Sequence, residues 1–561
     1  MEKIWLKSYP PGVPHDVQPE QYRSVAHLLE ESFRKHASSP FSVCMDQWMS
    51  YGELERLSAA LGAYLQGLGL EPGARVAIML PNVPQFGVTM AAVLRAGYTC
   101  VNVNPLYTAR ELEHQLKDSG ATAIVILENF AHTLSEIVDH TAVQHVVMAS
   151  MGDLLGTFYG RWITFAVRHL AKMVPAYELP LSRGRKVVSF KKALALGERR
   201  TLAPSQATLD SIAFLQYTGG TTGLSKGAVL THRCIVAATL QAEAWFTPAL
   251  AKVGDLSRAN SIAALPLYHI FALTLCLLAI RQGSSLTLIP NPRDIPKFVE
   301  VLKKRPFHML PAVNTLFNAL LQHPQFKSID FSHLCVSQAG GMAASEGTAR
   351  HWQKVTGSTM IEGWGMSETC AIGTNNPVNN TTFTGTIGLP LPGIEIAIKD
   401  DDGNSLPQGE SGEICIRGPN VMPGYYNQPE ENAKAFTPDG FMRTGDIGIM
   451  DAEGYTRIID RKKDMILVSG FNVFPNEIEN VISTCPGVLE CAAVGIPDEK
   501  SGEAVKVFVV RSDPSLEESD VERFCHENLT GYKRPKYIEF REDLPKTNVG
   551  KILRRELRST P

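Results

Sequence analysis

Three short apolar runs, spaced with helical patterns between them, constrain this chain more than any other feature. R-V-A-I-M-L, Arg75 to Leu80, lies between Pro72-Gly73 and Pro81, and is followed by T-C-V-N-V-N, Thr99 to Asn104, and A-I-V-I-L, Ala123 to Leu127. Each has the length of a strand buried on both faces, with turn residues at its ends. Pro84 to Ala96 is apolar at helical spacing. Before the third run, Thr108 can cap a helix, Glu111 completes a capping box, and Gly120 can take the left-handed position that closes it. A βαβαβ order forces parallel strands with crossovers. The fold class expected is α/β, with a large N-terminal domain of doubly wound sheets.

The texture changes after Gly385, where D-D-G-N, L-P-Q-G-E-S-G and T-P-D-G-F punctuate short strands. A charge cluster, D-R-K-K-D from Asp460 to Asp464, then precedes a fresh apolar run at Met465 to Val468. Beyond it, helical patterns (Asn476 to Cys485, Glu517 to Leu529) alternate with strands (Ala492 to Val494, Val505 to Val510). With 561 residues the chain has room for several domains. The division expected is 1–460, with a β-rich subdomain at about 385–460, and a small α/β domain at 461–561.

Charge narrows the partners. Lys and Arg total 54 against 57 Asp and Glu, a net charge of -3, so no global field draws nucleic acid. The ten cysteines are scattered without a C-x-x-C, which predicts reduced thiols in a cytoplasmic protein. The N-terminal residues lack the apolar core of an export signal. Ser261 to Ile280 carries no Asp, Glu, Lys or Arg and is about the length of a membrane span, but Pro266 and His269 favour a buried core segment.

The densest chemical signal is Y-T-G-G-T-T-G-L-S-K-G, Tyr217 to Gly227. Gly219, Gly220 and Gly223 let the backbone bend so that N–H groups and the hydroxyls of Thr218, Thr221 and Thr222 converge on an anion, with Lys226 adding a point charge. This reads as a phosphate cradle; the alternative is a flexible polar loop. It is not a Walker A loop, because Lys226 follows Ser225 rather than Gly.

The segment resembles the phosphate loop of the adenylate-forming superfamily of acyl-CoA synthetases, luciferases and peptide-synthetase adenylation domains. The rest of that family's motif series follows in order: L-P-L-Y-H-I-F (Leu265 to Phe271), S-Q-A-G-G-M (Ser337 to Met342), G-W-G-M-S-E-T (Gly363 to Thr369), R-T-G-D (Arg443 to Asp446), D-R-K-K-D, S-G-F-N-V-F-P-N-E-I-E, and P-K-T-N-V-G-K-I-L-R-R (Pro545 to Arg555). Asp439 to Lys463 is similar to the fatty-acyl-CoA synthetase signature. The resemblance implies ATP-dependent activation of a long-chain fatty carboxylate to acyl-AMP with release of pyrophosphate, then transfer to coenzyme A. Alternatives are a medium-chain or aryl acid ligase, or an acyl-AMP ligase serving a carrier protein.

The resemblance also implies roles. Lys551 would supply the adenylation cation, while Glu368 with the Thr218 hydroxyl would hold magnesium. Gly340, Gly341, Met342, Gly363, Trp364, Gly365, Met366 and Ser367 would surround the adenine, with Ile458 beside them, and Asp446 and Arg461 would engage the ribose. Ser469, Gly470, Phe471 and Asn472 would line the coenzyme A path once the C-terminal domain rotates about Asp460 to Asp464. Leu265 to Phe271 would open a core helix bearing His269, either a satisfied core residue or one that orients the acyl carboxylate. Trp364 stands where many relatives carry tyrosine.

Phe158 to Lys192 stands apart. Arg161, Arg168 and Lys172 fall on one face at 100° per residue, with Trp162, Leu170 and Met173 largely opposite, and only Glu178 opposes eight basic residues. This predicts either peripheral docking on the anionic inner face of the cytoplasmic membrane or an ordinary amphipathic surface helix. Nothing in the sequence sets the oligomeric state.

Overall fold

The computed structural model describes residues 2–218, 225–469, 471–498, 501–547, 550 and 552–558. The βαβαβ unit is present: the strand Arg75–Met79 lies between Thr99–Asn102 and Ala123–Leu127, parallel to both. Nearly every residue of the three is buried, as uninterrupted apolar runs require in a covered parallel sheet. The intervening helix Ala109–Ser119 begins with both bonds of the Thr108–Glu111 capping box and ends at Gly120, φ 60°. A helix over Pro84–Arg95 fills the other crossover.

These strands belong to a seven-stranded sheet ordered Lys186–Ser189, His145–Ala149, Ala123–Leu127, Arg75–Met79, Thr99–Asn102, Ile212–Thr218, Lys226–Thr231. Its last pair is antiparallel, with Thr218 opposite Lys226. The glycine-rich segment therefore connects two hydrogen-bonded strands, and Gly219, Gly220, Thr221, Thr222 and Gly223 themselves lie outside the described residues.

A nine-stranded sheet forms the second half of the large domain. Its six inner strands, Met360–Trp364, Val336–Ala339, Met309–Ala312, Asn260–Ala263, Ser285–Leu288 and Pro40–Cys44, pair in parallel, and antiparallel strands flank them. The uncharged stretch at 261–280 divides between one of these strands and the helix Ile270–Gln282, which is buried within the main core. Among the described residues no helix is long and apolar enough to cross a membrane. His269 precedes this helix rather than lying on it, and its Nδ1 accepts the Phe271 N–H at 3.4 Å as an N-cap.

The β-rich part is an antiparallel sheet of Glu395–Lys399, Gly412–Arg417, Met442–Met450 and Thr456–Arg461. The C-terminal part builds a core of its own around Ile466, Ile478, Val507 and Val521, from the sheet containing Val488–Asp498 and Gly502–Arg511 and the helices Pro475–Ile482 and Glu518–Asn528. All ten cysteines are free thiols; nine are buried and Cys335 is half-buried.

The basic segment departs from expectation. After Phe158–Phe165 the helix widens over Ala166–Leu170 into a π-helical turn, closed by Ala171 N–H to Ala166 O at 2.8 Å. A uniform 100° step no longer describes such a segment. Arg168 is not an available surface cation: its Nε and Nη2 donate to buried Glu128 Oε2 at 2.8 and 2.5 Å. Arg185 is buried and pairs with Asp139 at 2.9 Å. Phe158, Trp162, Phe165, Leu170 and Met173 are exposed, by 48 to 85%.

Candidate active site

One cleft of about 2280 Å³ opens between the large domain and the C-terminal domain. Every candidate of the large domain that lies among the described residues lines it, from Thr218 and Lys226 at the hairpin base to His269, the loops 340–342 and 363–368, and Asp446 and Ile458, with Arg461 just past the boundary. The C-terminal domain contributes Asn476, Glu479, Lys546 and Arg554 to the facing wall.

One end of the cleft is built around the hairpin of Ile212–Thr218 and Lys226–Thr231. The turn Ser367–Thr369 packs against both its strands, bringing Glu368 toward Thr218. Glu368 is 6% exposed, and its Oε1 accepts the Tyr425 hydroxyl at 2.7 Å. Burial, then the Glu368 charge, push the Tyr425 phenol well above its usual range, so it remains a donor. The Lys226 ammonium lies 5.3 Å from the centroid of the Tyr425 ring and pairs with Glu431, whose carboxyl it holds below its ordinary value. From the other side of the sheet, His114 Nε2 lies 2.9 Å from Ser225 O, and Tyr217 donates to Asp118 at 2.5 Å. Both legs of the hairpin are thereby tied to the helix Ala109–Ser119.

The loops at 340–342 and 363–367 pack too closely for side chains at two of their glycines. A methyl group at Gly340 would sit 2.8 Å from Phe271 Cε1, and one at Gly365 would sit 2.3 Å from Ala371 O. Glu362, 8% exposed, aims its Oε1 at the Ala344 N–H, 2.9 Å away, anchoring the loop that follows Gly340–Met342. Burial lifts its carboxyl to about 7. Asp446 and Arg461 face each other across neighbouring strands, with Arg461 Nε 3.0 Å from Asp446 Oδ1. Trp364 Nε1 donates to Asp446 Oδ2 at 2.8 Å.

Toward the C-terminal domain, burial and then the Arg461 charge lower the Lys463 ammonium to about 8. Gly550, at φ 82°, abuts the large domain: a methyl group there would lie 2.6 Å from Thr315 Oγ1. Lys551 and Gly470 lie outside the described residues. Ser469, Phe471 and Asn472 sit in the hairpin of Ile466–Val468 and Phe471–Val473, away from the cleft, where Phe471 stacks on Tyr532 at 4.6 Å.

Among the described residues no three His, Cys, Asp or Glu side chains converge as a self-sufficient metal centre. The hard oxygens of Glu368 and Thr218 fit magnesium that completes its shell with phosphate and water oxygens. The sequence did not single out Tyr425, Glu431, Glu362 or Lys463. Of these only Lys463 carried a signal, the charge density of its cluster.

The profile of the AMP-binding enzyme family matches residues 29–426, and that of the AMP-binding enzyme C-terminal domain matches 477–551. A long-chain-fatty-acid–CoA ligase of Escherichia coli O6:H1 is 51% identical over 560 residues, covering 100% of this chain and 98% of the relative. The ligase of the same description from Bacillus subtilis is 33% identical, covering 99% and 98%. The crystal structure of ATP-bound MatB from Rhodopseudomonas palustris superposes with a TM-score of 0.81 at 28% identity, over 95% of this chain and 98% of that one.

Proposed function

Since the chain belongs to the AMP-binding enzyme family, we propose that it is an AMP-forming long-chain fatty acid–CoA ligase. Identity of about half the residues with such a ligase along the full length carries this reading. ATP and coenzyme A are the co-substrates.

In the first half-reaction a fatty carboxylate oxygen attacks the α-phosphorus of ATP, and the bond to pyrophosphate breaks. The carboxylate is already ionised near neutral pH, so the site needs positive charge and N–H donors rather than a base. Lys226 serves the phosphates once it leaves Glu431, and Lys551 offsets the charge growing at the five-coordinate phosphorus. Glu368 and Thr218 would hold magnesium, which neutralises phosphate charge when bound. The nucleoside lies along Gly340–Met342 and Gly363–Ser367 with its ribose at Asp446 and Arg461. His269 shapes the acyl side by capping the helix Ile270–Gln282.

In the second half-reaction the coenzyme A sulfur attacks the acyl carbon and AMP departs. We place the domain boundary at 460/461 and the hinge within Asp460–Asp464, so that rotation exchanges the Gly550–Lys551 end for the Ser469–Asn472 hairpin. The close approach of Gly550 to Thr315, and the fact that Ser469, Phe471 and Asn472 do not line the cleft, support an arrangement suited to adenylation. The exposed aromatic patch at Phe158, Trp162 and Phe165 supports peripheral contact with a membrane, where a long-chain acid partitions.

Pyrophosphate release over acids from acetate to oleate and over aryl acids such as benzoate, with and without coenzyme A, tests the assignment. The expected result is a maximum at long chains and thioester only with coenzyme A. Greatest turnover of aryl or short acids would overturn it.

A further inference from the structure

Trp364 is 9% exposed, yet its indole is oriented by more than apolar packing. Its N–H donates to Asp446 Oδ2 at 2.8 Å, and Asp446 is itself 3% exposed. The opposite edge of the indole lies over Gly373, where a Cβ would stand 2.6 Å from Trp364 Cε3 and 2.7 Å from Cζ3. The ring thus spans a fixed distance between a bare backbone and a buried carboxylate. Arg461 Nε claims the other carboxylate oxygen at 3.0 Å.

A carboxylate offers about four lone-pair sites. With one on each oxygen occupied, each oxygen retains one for a ligand in the cleft. That pair suits two adjacent hydroxyl donors such as the 2′ and 3′ hydroxyls of a ribose. Without the indole N–H, Oδ2 loses a buried donor and the carboxylate is free to turn toward Arg461, which spoils the two-point match.

Resting on the ligase reading and its placement of the ribose at Asp446, we propose that Trp364 is a positioning residue for Asp446, and that its indole N–H makes the site selective for ribonucleotides over deoxyribonucleotides. A phenol at this position would keep a stacking face without that donor. The consequence concerns the sugar, not the base.

Two variants test this. Trp364→Phe keeps a ring and removes the N–H; Gly373→Ala leaves the indole chemically intact and crowds it off its seat. Acyl-AMP formation is measured with ATP, 2′-dATP and 3′-dATP, alongside the KM for the fatty acid. Wild type should prefer ATP, and both variants should lower that preference in kcat/KM about tenfold, the order expected for a hydrogen bond to a charged group, with the acid KM unchanged. A purely structural role would lower kcat/KM for all three nucleotides together. An ATP to deoxy-ATP ratio equal to wild type in both variants, or a wild type indifferent to the hydroxyls, would overturn the inference. Should Trp364→Phe fail to fold, the ratio for Gly373→Ala decides. Wild type that forms acyl-AMP from no acid overturns the ligase reading instead, and this inference with it.

Discussion

Replacing Glu362 by glutamine should make the protein more stable, and only on the alkaline side of about pH 5. The side chain is 8% exposed, and Oε1 has one backbone donor, Ala344 N–H, which a glutamine oxygen can also accept. Burial raises the carboxyl from 4.5 to about 7. At about 1.36 kcal/mol per tenfold change, ionising this group in the fold is about 3 kcal/mol harder than in the unfolded chain. A raised folded value means that the stabilising contribution is complete below 4.5, declines as pH climbs, and is gone above about 7. Glutamine never ionises, so the variant escapes the decline. Calorimetric melting of both proteins at pH 4.5, 5.5, 6.5 and 8 reads the difference, in which other titrating groups cancel. An advantage of about 3 kcal/mol corresponds to a rise of only about 3 °C for a cooperative unit of several hundred residues. Melting curves offset by the same amount at every pH would show that Glu362 does not ionise with difficulty in the fold.

Lys551→Ala should reduce adenylation by two to three orders of magnitude, about 3 to 4 kcal/mol, while sparing thioester formation from supplied acyl-AMP; equal losses in both half-reactions would remove it from the phosphate. Gly470→Leu should do the reverse, and normal thioester synthesis would contradict the assigned coenzyme A path. Glu431→Gln should lower the KM for MgATP severalfold and strengthen inhibition by pyrophosphate, because the phosphates no longer compete for Lys226; unchanged values would make the pair incidental. Trp162→Ser with Phe165→Ser should weaken co-sedimentation with anionic vesicles, and indistinguishable pelleting would return the patch to ordinary surface.

The parallel core was legible because a strand buried on both faces leaves an unbroken apolar run, and because Thr108, Glu111 and Gly120 mark both ends of one crossover. The loops at 340–342 and 363–368 were legible only through their resemblance to the family's motif series; in the fold Gly340 abuts the Phe271 ring and Gly365 the Ala371 backbone, contacts that admit no side chain. Other features depend on partners distant in sequence. The chain from Glu431 through Lys226 and Tyr425 to Glu368 joins three separated segments. Arg168 reads as one of many surface cations until Glu128, forty residues earlier, is found beneath it. The π-helical turn at Ala166–Leu170 interrupts the 100° spacing, which the apolar pattern alone does not reveal. The start of the helix at Ile270, after the His269 cap, was obscured because the uncharged stretch runs through strand, loop and helix alike.

The distribution of thiols turns unfolding into something that can be counted. In the native protein a small alkylating reagent meets one partly accessible sulfur, Cys335, while nine stay covered. Three of the nine, Cys485, Cys491 and Cys525, belong to the C-terminal core and the other six to the large domain. Under rising denaturant, the masses of labelled chains would step by three or by six according to which body opens first. Whether the two halves of this molecule come apart independently is thus written in its own cysteines, with no probe to be introduced.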